Sequence, residues 1–407
     1  MRTQLALCLS LLGLTLACRD DMQSPSPPDP SPTLATTASA LVFTRTSAGY
    51  QHSCGVTSDN RLYCWGYNGF GAVGDGTTTD RLVPVPVGGA LRFRQVSAGF
   101  GITCAVTTDD RAYCWGHNDL GTLGDGTTTA RLVPTRVTGG QIFRRVDAGL
   151  EHVCAVTGAN RGFCWGDNRY GQLGIGNNTG PETNIYGAHS SKPVAVVGGL
   201  TFRHLTAGDQ HSCGVTTDDR VFCWGHNQSG QVGDGSTGWL KFRPVQVAGT
   251  QRYQQVDAGR DFTCAVTTGK RAFCWGYNGV GELGNGLRSK SRVPTAVSGG
   301  LSFERVSAGG FHACAETTAD KAYCWGSRGA GALGDGHFGD GELQFSLVPV
   351  TVVGGLSFGQ VSAGEDDHTC ARTPAGAGYC WGRGFNGQLG NGTNGRSAVP
   401  VAVSGPM

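Results

Sequence analysis

The sequence predicts an all-β fold, a seven-bladed β-propeller with four-stranded antiparallel blades and one disulfide in each blade. A unit of about fifty residues recurs seven times, and repeats of this length are typical of sheets arranged around a central axis. Each unit contains two cysteines ten positions apart, and Trp-Gly follows the second cysteine. The chain has 68 glycines and only 15% charged residues, so it is too apolar to be disordered and too rich in glycine to be helical.

The four strands of a blade can be placed in the second unit. Four runs are rich in β-branched or aromatic residues and are flanked by Gly, Asp or Asn: Phe93–Ala98, Ile102–Thr107, Arg111–Gly116 and Val133–Val137. The fourth run contains proline in every unit. Because proline cannot donate a hydrogen bond to a neighbouring strand, we expect the fourth strand to form the outer edge of each blade.

The cysteine spacing predicts a disulfide inside each blade. A tight turn folds the second strand back on the third and places the two cysteines opposite each other, at a distance that suits a disulfide. The sequence has no C-x-x-C motif, and ten-residue spacing on paired strands is a poor zinc pattern. We therefore favour structural bridges over redox or metal sites, and we predict no catalytic residue and no cofactor. The predicted pairs are Cys54 with Cys64, Cys104 with Cys114, Cys154 with Cys164, Cys213 with Cys223, Cys264 with Cys274, Cys314 with Cys324, and Cys370 with Cys380.

The first forty residues predict export. Residues 1–17 have a basic start at Arg2 and an apolar core too short to span a bilayer, which is typical of a signal peptide. The run Leu14–Cys18 resembles a bacterial lipoprotein processing site, so we expect lipidation at Cys18, with simple secretion after cleavage as the alternative. Residues 18–40 are rich in Pro and Ser and predict a semi-rigid tether before the propeller at residues 41–407. We expect the protein at the outer membrane or cell surface as a lipoprotein, and otherwise secreted or periplasmic.

The net charge predicts no nucleic-acid partner. The formal charge is +2, and the chain contains no cluster of Lys and Arg, whereas nucleic-acid binding requires a basic surface. We expect contact with a membrane only through the lipid anchor.

A recurring motif connects the chain to a known family. The motif Ala-Gly-x-x-His-x-Cys-x-Val-Thr-x-Asp-x-Arg-x-Tyr-Cys-Trp-Gly is clearest in Ala207–Gly233 and Ala308–Gly334. It resembles the regulator-of-chromosome-condensation repeat over Leu41–Gly405, which implies a seven-bladed propeller. The nuclear founder of that family exchanges guanine nucleotide on a small GTPase and binds chromatin, while secreted bacterial members include proteinaceous inhibitors of β-lactamase. The leader and the paired cysteines place this chain with the exported bacterial members.

The ends of the repeat array predict how the ring closes. The first unit begins at Leu41 without a preceding Val-Pro-Val segment, and the last unit ends with Val399–Val403. We expect the C-terminal strand to complete the blade that Leu41–Gly49 begins, which would latch the ring. A division of blades after the proline strand would leave no latch.

Differences between the units predict a binding face. The first and third connections of each blade leave on one face; the first differs in every unit and the third takes the insertions, at Asn178–Ser191 and His337–Phe345. Loops on a rigid scaffold commonly carry recognition, and aromatic residues are favoured anchors, although neutral drift of exposed loops is an equal alternative. The predicted binding residues are Tyr50, Phe100, Glu151, Tyr186, His189, Asp209, Trp239, Arg260, Phe311, Phe338, Phe345 and Asp366.

Two further patterns bear on function. Five units carry a histidine that Ile102 and Phe262 replace in the other two, so we interpret these histidines as packed or hydrogen-bonded structural residues. Six carboxyl residues could supply acid/base chemistry at one mouth of the propeller: Glu151, Asp209, Asp261, Glu365, Asp366 and Asp367. We favour a non-enzymatic binding or inhibitory scaffold for an unidentified extracellular or periplasmic protein or glycan. The alternatives are a secreted carbohydrate-active enzyme and a protein similar to a guanine-nucleotide exchange factor.

Overall fold

The computed structural model describes residues 41–339 and 344–405 and arranges them in seven sheets. The predicted signal peptide, the lipidation site at Cys18 and the tether lie outside the described residues. Blades 1 and 2 contain β1 (Phe43–Ala48), β2 (His52–Thr57), β3 (Leu62–Gly66), β4 (Arg81–Val87), β5 (Phe93–Ala98), β6 (Ile102–Thr107), β7 (Ala112–Gly116) and β8 (Arg131–Arg136). Blades 3 and 4 contain β9 (Phe143–Ala148), β10 (His152–Thr157), β11 (Gly162–Asp167), β12 (Glu182–Asn184), β13 (Gly187–Ala195), β14 (Phe202–Ala207), β15 (His211–Thr216), β16 (Val221–His226) and β17 (Leu240–Gln246).

The remaining three blades follow the same plan. Blades 5 and 6 contain β18 (Tyr253–Ala258), β19 (Phe262–Thr267), β20 (Ala272–Gly276), β21 (Ser291–Ala296), β22 (Phe303–Ala308), β23 (His312–Thr317), β24 (Ala322–Ser327) and β25 (Phe345–Thr351). Blade 7 contains β26 (Gln360–Ala363), β27 (His368–Arg372), β28 (Gly378–Gly382) and β29 (Ser397–Ala402). A short 3₁₀ helix, Gly329–Gly331, precedes the last strand of blade 6. The predicted propeller of antiparallel four-stranded blades is confirmed, and blade 3 adds a fifth strand, β12.

Each blade is built from one continuous segment, with its first strand at the central channel. In six blades the proline-containing strand forms the outer edge, and in blade 3 β12 pairs with the part of that strand that precedes Pro193. Blade 2 is ordered β5-β6-β7-β8, and its strands match the four predicted runs to within two residues. The outermost strand pairs with a neighbour on one side only, so the prolines cost no ladder hydrogen bond there. Partial alternation and proline placement were therefore sufficient to locate the strands.

All seven predicted disulfides are present. In every blade the two cysteines are directly opposed on the second and third strands, with Cα–Cα distances of 4.0–4.1 Å, and all fourteen are buried. The bridges join Cys54 with Cys64, Cys104 with Cys114, Cys154 with Cys164, Cys213 with Cys223, Cys264 with Cys274, Cys314 with Cys324, and Cys370 with Cys380. Seven disulfides are typical of an oxidising compartment such as the extracellular space. Within the described ranges, the chain forms no helix long and apolar enough to cross a membrane.

The repeated tryptophan joins each blade to the preceding one. The pairing of the third and fourth strands shifts register at the tryptophan, as it does between Cys114 and Gly116. At this bulge Trp115 has no partner in the fourth strand. Its indole Nε1 donates to the carbonyl oxygen of Ala72 in the preceding blade at 2.9 Å. All seven tryptophans are fully buried and make the equivalent hydrogen bond. They therefore fasten the blade interfaces by packing and by one directed bond each.

Five histidines fasten the same interfaces. The His52 Nε2 atom lies 2.7 Å from Thr103 Oγ1 in the next blade, and that hydroxyl donates in turn to the Ala72 carbonyl at 2.8 Å. The Nε2–H group is thus the donor to Thr103. Burial lowers the pKa of His52 to about 4, so the ring is neutral at physiological pH. The other pairs are His152–Ser212, His211–Thr263, His312–Thr369 and His368–Ser53, at 2.8–3.0 Å.

The two remaining interfaces are apolar on both sides. Ile102 replaces the histidine of blade 2, and the opposing residue of blade 3 is Val153 rather than a hydroxyl residue. Phe262 and Ala313 form the corresponding pair between blades 5 and 6. Histidine and hydroxyl residue are therefore present together or absent together at all seven interfaces, and the structural interpretation of the histidines is confirmed.

Seven glycines allow the inner strands to approach one another where each ends in Ala-Gly. A Cβ atom added to Gly149 would lie 2.2 Å from the Gly208 carbonyl oxygen, and one added to Gly99 would lie 2.3 Å from the Gly149 oxygen. No other residue can occupy such positions without displacing a blade. The ring comprises Gly49, Gly99, Gly149, Gly208, Gly259, Gly309 and Gly364.

The expected latch of both termini is wrong. The last strand, β29, pairs with β28 and completes blade 7, while blade 1 has its own fourth strand, β4. The ring closes instead through the contacts that join every other pair of blades. Trp65 Nε1 donates to the Gln388 carbonyl at 2.9 Å, and Gly392 N donates to the Leu82 carbonyl at 3.0 Å. No strand exchange is needed, because the seventh interface has both of these hydrogen bonds in common with the other six.

Candidate functional site

The connections that vary between blades lie on one face of the propeller. Because neighbouring strands are antiparallel, the first and third connections leave on what we call the upper face, and the second and fourth leave on the lower face. The residue after Trp-Gly donates its backbone N–H to the first connection of its own blade, as Tyr67 N does to Gln51 O at 2.8 Å. The same bond recurs in all seven blades, at 2.8–2.9 Å. The variable loops are thus held on a rigid frame.

An aromatic cluster spans blades 1 and 2 on this face. Tyr50 and Phe100, both predicted binding residues, pack edge to face with ring centroids 4.8 Å apart. Phe70 lies 6.4 Å from Phe100, 5.1 Å from His117 and 5.9 Å from Tyr67. We call these five residues the aromatic cluster. It borders a cavity of about 200 Å³.

Three members of the aromatic cluster were not found from the sequence. Tyr67, Phe70 and His117 lie in third connections, where the predicted binding residues were chosen by the presence of insertions and not by side-chain type. Phe70 is 38% exposed, and the equivalent third-connection residue is Leu120 in blade 2, Val280 in blade 5 and Tyr170 in blade 3, where it packs on His226 at 5.2 Å. An aromatic residue at that position was the available signal.

The first connections of blades 4 to 7 place charged groups around the upper mouth of the central channel. Arg260 lies over the Phe311 ring at 4.9 Å and 3.5 Å from the Asp209 carboxylate. Burial raises the pKa of Asp209 to about 6, and burial together with the nearby Asp209 carboxylate raises the pKa of Glu365 well above its ordinary range. Blades 4 and 7 thus meet across the mouth.

The other carboxyl groups proposed for acid/base chemistry mostly have partners. Asp366 pairs with Arg383 at 3.0 Å and accepts a hydrogen bond from Gln51 at 2.8 Å, and Glu151 pairs with Arg169. Asp261 accepts a hydrogen bond from Gln231 at 3.1 Å. Burial, followed by the Asp366 charge, raises the pKa of Asp367 to about 6. In the part of the chain that the structure describes, no three His, Cys, Asp or Glu residues are grouped to hold a metal ion.

The insertion of blade 3 is a β-hairpin rather than a loop. β12 pairs with the first half of β13, through Glu182–His189 to Asn184–Gly187, and extends the blade at its outer edge. Tyr186 at the tip is 50% exposed, but His189 is 2% exposed. The placement of His189 on the binding face is therefore wrong, because its ring packs beneath the hairpin with Nε2 3.5 Å from Glu182.

The remaining predicted residues occupy separate places on the upper face. Trp239 is 67% exposed and lies in the third connection of blade 4. Phe345 lies under the Arg288 guanidinium at 4.8 Å, and Phe338 under that of Arg396 at 4.4 Å. Asp209, at 9% exposed, is buried at the channel mouth instead of presented to solvent. The predicted residues are thus distributed around the face, and only some form clusters.

The fold and this face define a class of protein, a disulfide-bonded β-propeller whose individual features collect on one side. The chain belongs to the RCC1-like domain family, whose model matches residues 13–301. A model of the Regulator of chromosome condensation (RCC1) repeat also matches residues 376–407. The resemblance seen in the repeat motif is thereby confirmed.

Comparisons with known proteins agree with this assignment. The chain is similar to the Ultraviolet-B receptor UVR8 of Arabidopsis thaliana, with 29% identity over 217 residues that cover 53% of this chain and 48% of UVR8. It is also 27% identical to the E3 ubiquitin-protein ligase HERC2 of Mus musculus over 206 residues, covering 50% of this chain and 4% of HERC2. The matches thus span about half of the first relative and a small part of the second.

A solved structure supports the fold. Human WBSCR16 superposes with a TM-score of 0.74 and 20% identity, over 84% of this chain and 94% of that one. At this identity the likeness supports the architecture alone. Membership of a family of RCC1-like propellers supports a role as a binding or regulatory scaffold.

Proposed function

We propose that the protein is an exported, lipid-anchored and non-enzymatic scaffold that binds a protein or a glycan of the cell envelope through its upper face. The observation that carries this proposal is the exposure of large apolar side chains there. Trp239 is 67% exposed, Tyr186 is 50% exposed and its neighbour Ile185 is 91% exposed. Exposed aromatic residues on a rigid body are favoured anchors of interfaces.

The contrast between frame and loops supports recognition. Seven interfaces repeat the same tryptophan contact, whereas the aromatic cluster, the Arg260–Phe311 pair and the blade 3 hairpin each occur once. A pre-formed frame lowers the entropic cost of ordering loops on binding. Side chains that occur once on such a frame provide the chemical individuality that one partner could recognise.

Export follows from the leader and is consistent with the disulfides. Residues 1–17 have the pattern of a signal peptide, and Cys18 stands at the position of a lipidated cysteine. β1 enters the propeller from the lower face, opposite the proposed binding face. The expected location is the outer membrane or cell surface of a bacterium.

The proposal omits catalysis because four of the six candidate carboxyl groups at the upper mouth are engaged. Glu151 and Asp366 are paired with arginines, and Asp209 and Glu365 are buried against each other. A carbohydrate-active enzyme would need an acid and a base that both reach a bound sugar. A role in guanine-nucleotide exchange would require a cytoplasmic or nuclear partner, which the proposed export excludes.

A capture experiment tests the binding face. The purified protein is immobilised and exposed to solubilised native envelope, and the captured material is compared between variants. We expect Trp239→Ala combined with Tyr186→Ala to lower capture at least tenfold, since anchor residues typically contribute about 2 kcal/mol or more each. Ile142→Ala is the matched control, because Ile142 is 59% exposed on the lower face and its truncation should leave capture unchanged. Equal capture by the double variant and the wild type would contradict the proposal.

A second experiment tests the anchor separately. Cys18→Ser should move the protein from the membrane fraction to the soluble fraction, because the mature chain would lose its lipid. Unchanged fractionation would refute lipid anchoring and leave the binding face untouched.

A further inference from the structure

The central channel is lined by two rings of side chains, one residue of each ring coming from the innermost strand of each blade. The ring nearer the upper face, which we call the upper ring, consists of Ser47, Ser97, Asp147, Thr206, Asp257, Ser307 and Ser362. The ring nearer the lower face, the lower ring, consists of Arg45, Gln95, Arg145, His204, Gln255, Arg305 and Gln360. Both rings consist of polar or charged side chains.

Every member of the upper ring has a structural task. Each accepts a hydrogen bond from the backbone N–H of the alanine at the end of the next inner strand, as Ser47 does from Ala98 at 3.0 Å. Asp147 and Asp257 accept the equivalent bonds at 2.9 and 2.8 Å. The remaining four bonds complete the circle. The two carboxylates therefore occupy a position that serine or threonine fills in the other five blades, and they join neighbouring blades.

The glutamines of the lower ring have a structural task as well. Gln95 binds the next blade with both ends of its amide, since Nε2 donates to the Val146 carbonyl at 2.6 Å and Oε1 accepts from Val146 N at 3.0 Å. Gln255 makes the same two bonds to Val306, and Gln360 makes them to Thr46. These amides thus fasten three of the seven interfaces.

The three arginines of the lower ring are left without such a task. Among the described residues, the guanidinium groups of Arg45, Arg145 and Arg305 form no hydrogen bond and no ion pair within 4.0 Å. They come from blades 1, 3 and 6 and so surround the axis. The cavity that they line has a volume of about 360 Å³, which is within the range of small-ligand sites. His204 lines the same cavity, and its Nδ1 atom is buried without a partner.

The acidic groups around these arginines neutralise them only in part: the Asp147 and Asp257 charges favour the charged form of Arg145, and Arg305 interacts with Glu316, whose pKa burial raises to about 7. Burial and the nearby Asp147 charge raise the pKa of Asp257 to about 7, so the two aspartates together carry fewer than two negative charges at neutral pH. Glu304 at the lower rim is paired with Lys270 at 2.8 Å. Burial, followed by repulsion from Arg145 and Arg305, lowers the pKa of Arg45 to about 10. Burial and like charge therefore both disfavour the charged form of Arg45.

We propose that the lower channel is a binding site for a small multivalent oxyanion, a phosphate ester or a polycarboxylate, held between Arg45, Arg145 and Arg305. A guanidinium group presents its N–H donors in a planar fork that matches phosphate and carboxylate oxygens. Three forks around one axis suit an anion with several oxygens better than a monovalent ion. This site lies at the end of the channel opposite the upper face and is independent of the partner proposed there.

The test titrates the full-length protein with pyrophosphate and with citrate, by calorimetry at an ionic strength fixed with chloride. We expect at least one of the two to bind at one site per chain, and the better ligand tells whether the source is a phosphate ester or a polycarboxylate. Arg145→Gln should weaken binding by about tenfold or more, and replacing all three arginines with Gln should abolish it. The same triple variant should melt no lower than the wild type without ligand, because mutual repulsion is removed.

Two controls make the outcome decisive. Gln already occupies the lower ring in blades 2, 5 and 7, so the replacements are compatible with the fold. Arg271→Gln removes the same charge from an exposed residue outside the channel and should leave affinity unchanged within about twofold. The proposal is overturned if neither probe produces heat or a thermal shift, or if the triple variant binds like the wild type. Equal weakening by Arg271→Gln would also overturn it, since binding would then reflect overall charge.

Discussion

The histidine–hydroxyl pairs that join the blades make a stability prediction that can be worked out from one interface. His52 donates through Nε2 to Thr103, and the Thr103 hydroxyl donates to the Ala72 carbonyl. Thr103→Val preserves the shape of the side chain and leaves the buried Nε2–H without an acceptor, which should cost about 1–3 kcal/mol of unfolding free energy. The Ala72 carbonyl keeps its bond from Trp115 at 2.9 Å, so no second group is left unsatisfied.

The double variant His52→Ile with Thr103→Val should recover most of that loss. It recreates the apolar pair that Ile102 and Val153 form between blades 2 and 3. We expect the double variant to lie within about 1 kcal/mol of the wild type, with a coupling energy of about 1–2 kcal/mol between the two positions. Urea unfolding with the disulfides intact measures all four members of the cycle, and Thr103→Ser serves as the control that keeps the hydroxyl.

The pH dependence of the same cycle has a definite sign. The pKa of His52 falls from 6.5 to about 4 on folding because the ring is buried, so between these values the unfolded chain binds a proton that the folded protein does not. His52 therefore lowers stability as the pH falls from 6.5, by about 3 kcal/mol once the pH reaches 4. The double variant should gain about that much relative to the wild type between pH 7.5 and pH 4. Additive single effects at neutral pH, or a pH-independent difference, would refute the explanation.

Two further predictions concern the ring of seven glycines and the carboxyl groups at the upper mouth of the channel. Gly149→Ala should lower the unfolding free energy by about 3 kcal/mol, since its Cβ would lie 2.2 Å from the Gly208 carbonyl oxygen. Gly158→Ala is the control, because its Cβ would meet nothing within 4 Å, and it should change the unfolding free energy by less than about 1 kcal/mol. Similar melting temperatures for the two variants would contradict the close approach of the inner strands at these glycines. For Asp209, whose pKa is raised by burial to about 6, the proton held by the folded state favours folding at low pH, and this contribution is lost as the pH rises through 6. Asp209→Asn should therefore become more stable relative to the wild type from pH 5 to pH 8 in thermal melts, and a constant difference over this range would contradict the burial of the Asp209 carboxyl group.

Local features of the sequence determined most of the fold. Cysteines ten residues apart lie on one hairpin, so the pairing of Cys104 with Cys114 depends only on the turn between them. Proline predicted the outer strand because a residue without an N–H group cannot donate a hydrogen bond to a neighbouring strand, and this effect is confined to a single sheet. The histidines were understood from their replacement by Ile102 and Phe262, and their hydroxyl partners could have been found one position further along in the next unit.

Features that depend on convergence of distant segments could not be predicted in the same way. A repeated sequence is compatible with more than one division into blades, so only the pairing of β29 with β28 decides against the latch. His189 is buried because a hairpin forms over it, and no periodicity of the sequence predicted that hairpin. Arg45, Arg145 and Arg305 belong to three different blades, and their grouping becomes visible only when the ring is closed.

The most direct test of binding through the upper face is a photo-crosslinking map of the protein in its native envelope. A photoreactive amino acid is placed singly at Phe70 or Trp239 on the upper face, and at Val42 or Ile142 on the lower face, all four of which are exposed. We expect the two upper positions to crosslink to the same partner and the two lower positions not to crosslink to it. Crosslinking of that partner from the lower positions, with none from the upper ones, would contradict it.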